Sequence, residues 1–129
     1  MSELSESTMR IGFVLYPGLT QLDLTAPYEV FCRVPGLEVQ LLAHSLEPVK
    51  SDRGLVLVPD HTFADTDTLD IVCVPGGPGQ IELMDDDVLL DFLRRQAAQA
   101  RFMTSVCTGS LVLGAAGLLK GRRATTHWS

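Results

Sequence analysis

Residues 10–16 read RIGFVLY. This run is nearly continuous in apolar, β-branched and aromatic side chains, and it stops at Pro17-Gly18. It fits a strand buried on both faces, the type found in parallel sheets. Four further strands are expected: residues 37–43 (LEVQLLA), 55–59 (LVLVP), 70–75 (DIVCVP) and 102–106 (FMTSV). A turn is expected near Asp52-Arg53-Gly54, and Gly76-Gly77-Pro78-Gly79 ends the fourth strand sharply.

Helical patterns fall between the strands. Residues 22–34 place Leu22, Ala26, Val30 and Val34 at helical spacing, with Pro27 suited to the first turn. Asp85, Asp86 and Asp87 precede a second helix over residues 87–100, since carboxylates favour the partly positive N-terminus. Its apolar face is expected at Leu89, Leu93, Ala97 and Ala100, with Asp91 and Arg95 paired outside at i,i+4. Residues 108–119 form a nearly all-apolar third helix containing Gly114 and Gly117, ended by Gly121. The alternation β-α-β-β-β-α-β-α implies an α/β fold, with a mostly parallel sheet and helices on both faces. Residues 1–9 are expected to be a loose polar tail and residues 10–129 one domain. TTHWS stops where another strand should begin, so the domain is expected to be incomplete at its C-terminus.

Bulk properties narrow the function. The 129 residues are 46% hydrophobic and carry a formal net charge of −6. An acidic domain repels nucleic acid and anionic membrane, and the basic group Lys120, Arg122 and Arg123 reads as a solvated turn. The start, MSELSESTM, lacks the basic and apolar regions of a signal peptide. No apolar run approaches the roughly 20 residues that span a bilayer. A cytoplasmic protein is therefore expected, and in that setting three widely spaced cysteines with no CxxC pair speak against a disulfide framework. His44, His61 and His127 show no metal-ligand spacing, so no metal is expected.

Three features stand out. Ser105-Val106-Cys107-Thr108-Gly109 lies where a strand turns into a helix, the setting of a nucleophile elbow, although Ser105 replaces the first glycine of that pattern. A thiol there gains thiolate character from the helix dipole, while a buried packing cysteine is the competing reading. Asp23, in QLDLTAP, is either a cap or first-turn carboxylate or a proton shuttle for that thiol. Gly76–Gly79 is a structural turn or a set of backbone N–H donors for an oxyanion. In a parallel sheet, Asp23, Gly77 and Cys107 all follow strands at the carboxyl edge, where open α/β folds bind ligands. Cys73, in mid-strand, and Cys32, in a helix, read as packing residues. His127 is a base partner or a core histidine.

The joint set of the SVCTG elbow, the PGG turn, the LDLT segment and the tail GLLKGRRATTHW resembles the ThiJ/PfpI superfamily of class I glutamine amidotransferase-like folds. YPGLTQLDLTAP stands where the family pattern reads FPxxxQLDLTxP, and the likeness covers residues 11–129. It implies a flavodoxin-like three-layer sandwich and a homodimer. Within the superfamily the chain looks most like the isocyanide-hydrating lyases. That resemblance assigns Cys107 as nucleophile, Asp23 as the acidic partner, Thr108 as a further catalytic residue, and Thr108 and Gly77 as binders of the oxyanion or substrate. It implies a small-molecule isocyanide as substrate and neither metal nor organic cofactor. Amino-terminal domains of AraC-type transcription regulators share the Cys turn and GRRATTHW, so a ligand-sensing module is the alternative. A redox member whose Cys107 oxidises to a sulfinic acid is a third.

Overall fold

Strand β1 (Met9–Val14) is the middle of the sheet, paired on both sides in parallel. The computed structural model describes residues 9–79, 84–100 and 102–105. The five-stranded sheet has the order β5-β2-β1-β6-β7, with β2 at Leu37–Ala43, β5 at His61–Thr62, β6 at Ile71–Val74 and β7 at Phe102–Ser105. Every pairing in it is parallel. β1 buries Ile11, Phe13 and Val14, and the chain stays buried through Leu15 and Tyr16. The run RIGFVLY therefore sits in the core as its composition requires.

Helix α1 (Gln21–Phe31) carries β1 to β2, and helix α2 (Asp87–Ala97) carries β6 to β7. The two crossovers step in opposite directions along the sheet. Right-handed connections then put the helices on opposite faces, which makes three layers. Among the described residues, no helix is long and apolar enough to cross a membrane.

α1 departs from its expected form. It ends at Phe31, and Pro27 lies inside it rather than in the first turn, where a proline has no N–H to return to the turn below. The expected face is also wrong: Leu22 and Val30 are each 61% exposed, and Ala26 and Val34 are exposed too. The face that packs is Leu24, Tyr28 and Phe31. Phe13 meets the Tyr28 ring edge-on at 6.3 Å and the Phe31 ring at 6.2 Å. Two apolar stripes competed for the core, and the aromatic one buries more area. Cys32 is correspondingly no packing residue. It caps the C-terminus of α1, is exposed, and its bond to Tyr28 pushes that phenol up.

α2 follows the sequence more closely. Asp86 is its N-cap, and the carboxylate accepts from the Leu89 amide at 3.2 Å. Leu89, Leu90, Phe92 and Leu93 are buried, and Phe92 lies against Phe63 at 4.8 Å between centroids. The helix ends at Ala97, short of Ala100. Asp91 pairs with Arg94 at i,i+3, while Arg95 sits over the Phe92 ring instead.

The LVLVP run is not a strand of the main sheet. Only β4 (Val56–Leu57) forms there, antiparallel to β3 (Val49–Lys50), in a separate hairpin turned at Asp52-Arg53-Gly54. Leu55, Val56 and Val58 stay exposed. Pro59 has no N–H to continue a ladder, and β5 takes the edge position beside β2 instead. The tail lies outside the described residues apart from Met9, which already belongs to β1. The third helix lies outside them as well.

Candidate active site

The carboxyl ends of β1, β6 and β7 lie side by side. Phe13 aligns with Cys73 and Cys73 with Thr104, and Val74 aligns with Ser105. Ser105, the last described residue of β7, therefore lies beside Val74, just before Pro75. Cys107 is two positions past Ser105. Cys107, Thr108 and His127 lie outside the described residues.

Two turns interlock at this edge. One is Pro17-Gly18 after β1, and the other is Gly76–Gly79 after β6. The Gly79 amide donates to Gly18 O at 3.2 Å, and the Thr20 amide donates to Gly76 O at 2.8 Å. Gly77 has φ +147, and a Cβ there would stand 2.5 Å from the Thr20 nitrogen and 2.7 Å from Gly18 O. A Cβ on Gly79 would meet Pro17 O at 2.0 Å. Backbone against backbone cannot yield as a side chain can, so glycine is required at both positions. The structural reading of this turn is thus satisfied. The ligand reading is compatible with it, because the same glycines hold backbone N–H groups at the sheet edge.

Asp23 lies in the first turn of α1, half-buried, with its amide bonded to Thr20 O at 3.1 Å. Thr20 is the N-cap and makes no side-chain cap bond. The start of α1 is tied to Gly76 through the backbone, and this brings Asp23 and Gly77 to the same edge. The carboxylate is near enough to Cys73 to act on it. Burial pushes the Cys73 thiol up, the Thr104 hydroxyl pulls against this, and the charge of Asp23 adds to the rise. Cys73 is 4% exposed and belongs to the core.

Sequence reasoning missed two features near this edge. His44, just after β2, pairs through Nε2 with the N-cap carboxylate of Asp86 and sets its ring against Phe63. A cleft of about 360 Å³ opens beside it, with Leu15, Ala43 and Val49 among its apolar lining and His44 and Lys50 at its polar parts. Both arise from loops distant in sequence, and no local motif announces them.

The DJ-1/PfpI family model matches residues 9–129 of the chain. Isonitrile hydratase of Pseudomonas putida is 59% identical over 121 residues, covering 94% of this chain and 53% of that protein. The HTH-type transcriptional regulator GbdR of Pseudomonas aeruginosa is 33% identical over 124 residues, 92% of this chain but 34% of the regulator. A solved ThiJ/PfpI family protein from Pseudomonas syringae has a TM-score of 0.85 and 42% identity, covering 88% of this chain and 48% of that one. The chain thus spans about half the length of the hydratase and of this solved structure.

Proposed function

The chain belongs to the DJ-1/PfpI family, and on that premise we propose that it acts as an isonitrile (isocyanide) hydratase. The reaction is R–N≡C + H2O → R–NH–CHO. The Cys107 thiolate adds to the terminal carbon, and a proton delivered to that carbon gives the thioimidate R–N=CH–S. Water then adds to the same carbon, the nitrogen takes a proton, and the C–S bond breaks to return the thiolate. Asp23 carries the protons and orients the water. Backbone N–H groups near Gly77 and Thr108 stabilise the developing negative charge. Every atom of the product comes from the substrate and water.

The observation that carries the reading is the joining of Asp23 and Gly77 at one sheet edge through the Thr20–Gly76 bond. The test is turnover of an aromatic isocyanide by the full-length protein. Cys107→Ala is expected to abolish it, and Asp23→Asn to lower kcat by about 10²- to 10⁴-fold. Intact-mass trapping of a substrate adduct on Cys107 gives independent support. Full activity in Cys107→Ala would sink the mechanism. The sensor reading finds its support in a regulator of markedly lower identity, so the hydratase is preferred.

The same reading makes the enzyme a cytoplasmic homodimer. What supports the dimer is the exposed stripe of Leu22, Ala26 and Val30 on α1, together with exposed Val56 and Val58 near the hairpin. Apolar surface of this kind marks contact sites.

A further inference from the structure

Tyr16 stands at the site's edge and has no part in the reaction written above. It is 1% exposed. Its phenol O–H donates to Pro75 O at 2.7 Å, across 59 positions of sequence. The next carbonyl along, Gly76 O, accepts the Thr20 amide at 2.8 Å.

Peptide groups are planar and trans, so fixing a carbonyl also fixes the N–H on the other side of the same plane. The Tyr16 bond therefore sets the Gly76 N–H, and the Thr20 bond sets the Gly77 N–H. Gly76 lies between the two held planes. With no Cβ it has little torsional preference of its own, so these bonds set its φ and ψ.

We propose that Tyr16 is a positioning residue: its hydroxyl locks the Pro75–Gly76 peptide and so holds the Gly77 backbone in the orientation that meets developing negative charge. The catalytic consequence rests on the hydratase reading, and the geometric one does not. Preorganised donors raise kcat because they need no rearrangement as charge develops. In this role Tyr16 acts on kcat through Gly76 and Gly77, by way of its bond to Pro75 O.

Tyr16→Phe keeps the buried ring and removes the hydroxyl that donates to Pro75 O. In the full-length protein, kcat for an aromatic isocyanide is expected to fall about three- to tenfold, with KM within about twofold. A merely structural bond would lower the melting temperature and leave kcat unchanged well below it. The second readout needs no turnover. In ¹H–¹⁵N spectra, the Gly76 and Gly77 amide signals are expected to shift or broaden in Tyr16→Phe, while those of Leu89 and Leu93 stay in place. Unchanged kcat in an active enzyme overturns the proposal, and so do unchanged Gly76 and Gly77 signals. If the wild type fails to hydrate isocyanides, the hydratase reading falls, and the amide signals still decide the role of Tyr16.

Discussion

The amide of Thr20 donates to the carbonyl of Gly76 at 2.8 Å. Through this bond the first turn of α1 hangs from the turn that follows β6. Asp23 is placed by the helix, but the helix is placed by a glycine turn more than fifty positions away.

Gly77→Ala tests that arrangement. The new Cβ would stand 2.5 Å from the Thr20 nitrogen at a φ of +147. The expected loss of stability is about 2 to 4 kcal/mol, from combined clash and backbone strain. A urea titration measures it. A loss under about 0.5 kcal/mol would mean that the two turns separate freely.

Gln96 offers a contrast away from the site. It is buried in α2, accepts the Leu69 amide at 2.9 Å and donates to Asp67 O at 3.1 Å. Gln96→Leu keeps the volume and strands both backbone groups. Stability should drop by about 2 to 3 kcal/mol, with kcat unchanged at temperatures well below the transition. An equally large drop in kcat would show that the loop before β6 communicates with the site.

Cys73 predicts an alkaline slope. Its thiol is pushed up chiefly by burial, so the folded state holds the proton to higher pH than the unfolded chain. Below the ordinary thiol range of about 8.5 both states are protonated and the group adds no pH dependence. Stability then falls as pH rises from there through the folded value. Tyr28, also pushed up, acts with the same sign. Cys73→Ala should cost about 1 kcal/mol at neutral pH yet decline less steeply between about pH 8 and 10. Denaturant midpoints across that range decide it, and parallel curves would remove Cys73 as the cause.

Leu22→Glu and Val30→Glu probe the outer stripe of α1. Both side chains are 61% exposed, so the fold should tolerate the charge within about 0.5 kcal/mol. Sedimentation should show the proposed dimer weakened by about tenfold or more. An unchanged dimer would place the interface elsewhere.

The fold was legible where the pattern was local and strong. RIGFVLY and DIVCVP announced buried parallel strands, and Asp86 announced a helix start. The errors came where two local solutions competed. Leu22, Ala26 and Val30 have correct helical spacing, but so do Leu24, Tyr28 and Phe31, and only contact with Phe13 decides between them. LVLVP has strand composition, yet Pro59 and the turn at Gly54 confine it to a short hairpin. Of the site, Asp23 and Gly77 were legible as oddities within their segments. The bonds that join them link distant turns: Thr20 to Gly76 uses backbone atoms that every residue carries, and Tyr16 to Pro75 sends a side-chain hydroxyl to a carbonyl 59 positions away. Composition has no means of marking such pairs.

The central place of β1 also bears on how the molecule comes together. β2 follows it closely, so β1, α1 and β2 can assemble as one early unit across a short loop. The other side of β1 must wait for β6, and the carboxylate of Asp70, just before that strand, accepts the Arg10 amide across 60 positions. Closing so long a loop is entropically slow. Until it closes, one edge of β1 is a bare template for other chains. The edge that carries Gly77, which requires β6 and β7, is thus the last part to exist. Conditions that slow its closure should show first as aggregation of an otherwise well-formed half.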